Sequence, residues 1–325
     1  MRALKGLTFA LAVCGVVAMI VASRATARPL IAISSIGPTM NFAYVRIKGV
    51  VPDYPTLSTA DGYLSFYLQD ATGRMHVTAY RSTVDALMAR AAVPMPGDQV
   101  TVEGSLRVRD DDVSLTLNTA EALAVEYGES VAVELAALDA FPTGACATVT
   151  GQVRDVQDVT PALRRVVLRS GDTQAQMLLP LALPDVFGDS PALKPGEWVQ
   201  VTGGVGEYRA QRQLLPARAE DIRVVSPPIP EVRPMSALNR RMAGRWVTVR
   251  GTVGKLRPVR DGMLLSVQDA SGGSIVVAMF EPWFAVPFSQ TLQVGDAVLA
   301  QGELVIYQNQ LEVQPELSVD LTRGD

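Results

Sequence analysis

Three short stretches constrain this chain more than anything else in it. Residues 97 to 104 read Gly-Asp-Gln-Val-Thr-Val-Glu-Gly, residues 196 to 203 read Gly-Glu-Trp-Val-Gln-Val-Thr-Gly, and residues 295 to 302 read Gly-Asp-Ala-Val-Leu-Ala-Gln-Gly. Each opens on Gly and an acid, alternates apolar with polar, and closes on Gly. That pattern predicts a tight turn feeding a half-buried strand, with a second Gly where the strand must bend. The opening glycines lie 99 residues apart and then 99 again, and so do the closing ones. Three copies in register predict a repeated module.

The surrounding sequence repeats as well. A strand with a central Gly precedes each copy: Tyr44 to Val50 around Gly49, Ala147 to Val153 around Gly151, and Trp246 to Val253 around Gly251. A hairpin follows in each unit. It pairs Tyr63–Asp70 with Arg74–Tyr80, Arg164–Arg169 with Gln174–Leu179, and Met263–Gln268 with Ser274–Phe280. Val113–Leu117, Gln213–Leu215 and Gln310–Val313 supply a fifth strand. Between the third and fourth strands of the first unit, Ser82 to Ala92 places Val84, Leu87 and Met88 on one helical face, as a plug for the barrel end. Five strands in under a hundred residues predict an all-β chain of small closed barrels.

This layout resembles the OB-fold, in the variant found in anticodon-binding and single-strand-binding domains. The carrying motifs are strand-Gly-Val, an apolar strand ending in Asp-x-x-Gly, and Gly-Asp-x-Val-x-Val-x-Gly. The first and third units match throughout, with Asp70/Gly73 and Asp269/Gly272; the second lacks the Asp-x-x-Gly turn. The resemblance spans residues 37 to 320 and implies three tandem five-stranded barrels, over residues 41–127, 131–226 and 230–320. Pro227, Pro228 and Pro230 mark the clearest boundary.

Ahead of the barrels the chain is of another kind. Leu7 to Ala22 is apolar apart from Thr8, behind a basic head carrying Arg2 and Lys5. Its length sits at the edge of what spans a bilayer. Residues 1–28 are therefore expected to be a signal-anchor helix meeting a membrane through residues 4–23, or a signal peptide cut near Ala25-Thr26-Ala27. A cleaved signal would leave the barrels secreted; for an anchor, Arg2 and Lys5 balance Arg24 and Arg28, and the free amino terminus tips the barrels towards the extracytoplasmic side. Residues 29–40, rich in Pro, Gly and Ser, read as a linker.

Several chemistries are disfavoured. The chain has one His and two Cys, Cys14 and Cys146, so the usual structural zinc set cannot be assembled and no disulfide is expected within a domain. His76 sits mid-strand with no nucleophile placed beside it in sequence. Asp110-Asp111-Asp112 reads as a solvated hairpin tip. No Gly-rich phosphate cradle appears. We therefore expect a non-enzymatic chain without metal or cofactor.

What remains is binding. The OB-fold resemblance directs attention to the outer face of the second and third strands. Alternation puts Leu64, Phe66, Leu68, Met75, Val77 and Ala79 inside the first barrel, and Tyr63, Tyr67, Arg74, His76 and Tyr80 outside. Aromatic rings beside cations suit single-stranded nucleic acid, since base-on-aromatic stacking contributes about 1–3 kcal/mol per base. Arg46, Lys48, Arg107 and Arg109 extend the basic set on neighbouring strands, and Arg165 and Arg169 occupy the matching face of the second barrel. The third offers Leu264, Ser266, Val276, Ala278 and Phe280, which reads as a protein-contact surface. Charge limits affinity: 29 basic and 33 acidic residues give a net of −4, and residues 41–125 hold seven basic against ten acidic side chains. The sequence thus predicts a membrane-tethered binder of single-stranded DNA or RNA led by the first barrel. The alternative is an extracytoplasmic scaffold whose barrels engage protein or glycan.

Overall fold

A computed structural model describes residues 28–109, 112–280 and 291–324. Among these residues the fold is all-β, with three sheets of seven, seven and six strands. In the first sheet the principal strands are β1 (Tyr44–Val50), β2 (Tyr63–Gln69), β3 (Arg74–Tyr80), β4 (Gln99–Arg109) and β5 (Asp112–Leu117). They run β1-β2-β3-β5-β4, and β4 pairs back with β1 to close an OB-type barrel. The β3–β5 pairing is parallel and the others are antiparallel.

The other two sheets keep this order. The second uses β6 (Cys146–Thr160), β7 (Leu163–Ser170), β8 (Thr173–Pro180), β9 (Trp198–Tyr208) and β10 (Gln211–Leu215). The third uses β11 (Trp246–Val259), β12 (Gly262–Gln268), β13 (Ser274–Phe280), β14 (Ala297–Tyr307) and β15 (Gln310–Gln314). Each closes through its first and fourth strands, β6 with β9 and β11 with β14. The first strands differ in length for a legible reason. Pro52 and Pro55 follow β1, and proline cannot donate to a ladder, so β1 meets β2 only at Val50↔Gln69. β6 and β11 have no such break. They run on past a bulge and pair with β7 and β12 over most of their length.

The periodic glycines have two causes. Gly97, Gly196 and Gly295 sit at φ +88°, +98° and +99°, the left-handed turn into the fourth strand. The closing glycines lie where the fourth strand crosses the fifth at close range. A Cβ on Gly203 would stand 2.6 Å from the Leu215 carbonyl oxygen, and Gly104 and Gly302 are at least as crowded by Thr116 and Gln314.

The cores follow the alternation. Leu64, Phe66, Leu68, Met75, Val77 and Ala79 are all buried, each apolar side chain contributing about 1.5–3 kcal/mol when fully buried. Helix α1 (Ser82–Ala89) seals the first barrel with Val84 and Leu87, and α2 (Pro184–Phe187) buries Phe187 in the second sheet. Two compact units result: one built on the first sheet, the other, from Gly128 onward, holding the second and third together.

Within that second unit the joint between sheets is an ion cluster. Arg154 on β6 donates to both oxygens of Asp320, at 2.8 and 2.6 Å, and to Glu316 at 3.1 Å. Arg154 and Arg169 both lie over the Trp246 ring, at 4.8 and 4.2 Å. Arg169 also reaches Glu316 at 3.1 Å. Asp172 pairs with Arg245 at 2.8 Å.

The expected linker at residues 29–40 is not a free spacer. Leu30 bridges to Arg46, short 3-10 turns run over Ile33–Ser35 and Pro38–Met40, and Ile33 is buried. Its backbone N–H donates to Asp70 at 2.8 Å. Met235 does the same to Asp269 at 2.6 Å. The Asp-x-x-Gly turn is therefore a clasp on the upstream segment. Residues 1–27, and with them the expected apolar leader, its membrane contact at 4–23 and Cys14, lie outside the described residues. Among the described residues no helix is long and apolar enough to cross a membrane.

Candidate nucleic-acid interface

Two antiparallel strands and a two-residue period build the outer face of β2 and β3. Register places Tyr63 opposite Tyr80, Ser65 opposite Thr78, Tyr67 opposite His76 and Gln69 opposite Arg74. The aromatics meet in pairs. Tyr63 and Tyr80 have ring centres 5.5 Å apart at 50°, and Tyr67 and His76 lie 5.2 Å apart at 45°. Both are within the tilted, offset range that aromatic quadrupoles favour. Between the pairs, the small Ser65–Thr78 rung is buried, which leaves the rings standing above it. Tyr67 and Tyr80 remain 45% and 51% exposed, so both present ring surface to solvent.

The Arg74 guanidinium lies 3.9 Å over the Tyr67 ring. This cation–π contact holds a charged group against the ring. The face then continues across the sheet. His76 pairs in register with Ser114 on β5, and Ser114 with Arg107 on β4. Tyr67, His76, Ser114 and Arg107 thus form one row across four strands. Arg109, two residues on and exposed, shares that side. The arrangement offers rings for stacking and three guanidiniums for phosphate.

The other expected residues are placed differently. Arg46 pairs with Glu103 at 3.5 Å and Lys48 with Glu126 at 3.5 Å, so both are largely neutralised. Arg165 donates to Gln157 at 2.7 Å and lies 3.5 Å from Asp155. Arg169 is a correction to the sequence expectation. It lies against Trp246 and Glu316 in the joint between the second and third sheets, its side chain 12% exposed, and not on an open outer strand face. Of Asp110–Asp112, the first two lie outside the described residues.

The face of the third sheet also departs from expectation. Ala278 is buried and Phe280 exposed, while Leu264, Ser266 and Val276 are half-buried as the floor of a groove. Lys255, Arg257, Tyr307 and Glu312 complete its walls. Reading only the hairpin missed them, because β11 runs past its bulge and contributes Lys255 and Arg257 to that side. The alternation Lys255-x-Arg257 was the available signal.

No family model and no curated protein matches the chain. Solved structures do. A replication protein A heterotrimer bound to ssDNA matches at 12% identity and TM-score 0.31, covering 91% of this chain and 96% of that one. The S. pombe Stn1–Ten1 complex matches at 15% and 0.22, covering 24% and 57%. An OB domain from Methanosarcina mazei matches at 16% and 0.25, covering 31% and 84%. At such scores none of them bears on what this chain does, and the fold assignment rests on strand order and register.

Proposed function

We propose that the chain is three OB-type barrels in tandem that bind single-stranded nucleic acid without catalysis, through the β2–β3 face of the first. The observation that carries this reading is the half-exposed Tyr67 ring, with His76 and the Arg74 guanidinium against it, in an aromatic ladder that Tyr63 and Tyr80 continue. Bases stack on such rings regardless of sequence, and Arg107 and Arg109 lie where a strand crossing the ladder would bring its phosphates. The acidic balance of the chain makes the binding modest and salt-sensitive. The apolar run from Leu7 to Ala22 supports a membrane tether, and the free amino terminus, added to otherwise balanced flanking charges, favours barrels outside the cytoplasm.

Fluorescence anisotropy with a labelled oligothymidine tests the reading on the full chain in mild detergent. Binding at about 50 mM salt should weaken by about tenfold or more at about 200 mM. Changing Tyr67 and Arg74 together to Ala should abolish it. Absence of binding at the lower salt would leave the protein- or glycan-binding scaffold as the better account.

A further inference from the structure

The groove on the third sheet has a volume of about 260 Å³ and an unusual floor. One row crosses all five strands: Lys255 on β11, Ser266 on β12, Val276 on β13, Glu312 on β15 and Val305 on β14. Glu312 is 5% exposed, and no hydrogen bond or ion pair reaches its carboxyl group among the described residues. Burial pushes its pKa up, and the nearby Arg257 only partly opposes this. The carboxyl lines the open groove, and a ligand that brings donors can take the place of the water it would otherwise bind. Apolar Leu264 and Val276 flank it, Tyr307 stands 56% exposed at one end, and exposed Lys255 and Arg257 line the rim.

These features specify a ligand: a flat ring with two adjacent hydrogen-bond donors, attached to something anionic. Resting on the nucleic-acid reading above, we propose that this groove selects guanine within a single strand. Its Watson–Crick edge presents N1–H and the N2 amino group side by side, and Glu312 accepts from both. Tyr307 stacks on the base, and Lys255 and Arg257 meet the flanking phosphates. Thymine and uracil present one donor between two carbonyl oxygens, which the carboxylate repels. Adenine and cytosine offer one amino group beside an acceptor. The volume fits one base, being below the range of about 300–1,000 Å³ typical of larger ligands.

At the equivalent register the first sheet has Ser114 and the second Gln213. The fold therefore already accommodates the amide that the test requires.

Anisotropy on the full chain decides it, using nonamers of thymidine with and without one central guanosine. The guanosine oligomer should bind about tenfold more tightly, the discrimination of one good bidentate contact. Inosine, which lacks the N2 amino group, should lose most of that gain. Glu312→Gln should reduce the preference to under threefold without weakening plain oligothymidine binding, which the first barrel carries. Oligothymidine binding with no guanosine preference, or a preference that survives Glu312→Gln, overturns this proposal and leaves the first-barrel reading standing. Failure of the native chain to bind either oligomer overturns both.

Discussion

Arg154 and Asp320 meet in a two-point ion pair that ties the second sheet to the third, with side chains 3% and 0% exposed. Gln152 accepts from the same guanidinium at 2.8 Å, and Gln301 and the backbone N–H groups of Glu316 and Leu317 donate to the carboxylate. Every strong donor and acceptor is used, which is the condition under which a buried pair is tolerated. Removing one partner strands the other. Arg154→Met should cost the Gly128-onward unit about 3–5 kcal/mol in urea unfolding. A loss below about 1 kcal/mol would mean that the pair does not hold the sheets together.

The closing glycines make a sharper prediction about steric fit. Gly302→Ala must push a methyl group into the Gln314 carbonyl, and overpacking of this kind costs about 1–3 kcal/mol. Gly254, on β11, has no neighbour closer than 3.7 Å to its would-be Cβ, so Gly254→Ala should change stability by no more than about 0.5 kcal/mol. Equal effects from the two substitutions would separate the glycine repeat from strand crossing.

The two clasps should be visible in acid. Hydrogen bonds from the Ser271 hydroxyl and from the backbone of Met235, Gly273 and Ser271 outweigh slight burial and hold the Asp269 carboxyl below its usual range. At Asp70 burial opposes, and donors from Thr72, Ile33 and Gly73 overcome it, with the same net direction. An ordinary aspartate titrates at about 3.9. A depressed folded-state value contributes stability that is complete above that pH and lost as pH falls through the lower folded value. Asp269→Asn should therefore lower the urea midpoint at pH 7, and the gap from the native chain should shrink towards pH 3. A gap that stays constant with pH would contradict the charged clasp.

Salt dependence counts the phosphates that the first barrel neutralises. Arg74, Arg107 and Arg109 predict a slope of about −2 for log K against log salt on a single strand, at about −0.7 per contact. Arg107→Ala should make the slope shallower by about 0.7. An unchanged slope would place Arg107 off the path of the backbone.

Much of this was legible because β structure writes itself with period two. The inward and outward sets of β2 and β3 follow directly from alternation, and the ladder from Tyr63 to Tyr80 with them. What stayed hidden depends on partners far away in sequence. Arg169 looks like any solvated strand cation until Glu316, 147 residues on, meets it. Arg46 and Lys48 look free until Glu103 and Glu126 fold beside them. The segment before β1 reads as linker from its Pro, Gly and Ser, yet a signal was present. Ile33, Leu135 and Met235 each lie sixteen residues before the first-strand glycine, and each is a buried residue that begins a 3-10 turn.

Ultraviolet cross-linking of a bromouracil-containing oligonucleotide, followed by mass spectrometry of tryptic peptides, locates the strand directly. The account predicts adducts on residues 49–74 and 75–81, which carry Tyr63, Tyr67, His76 and Tyr80. Adducts absent from both peptides, in a chain that binds the oligonucleotide, would contradict it.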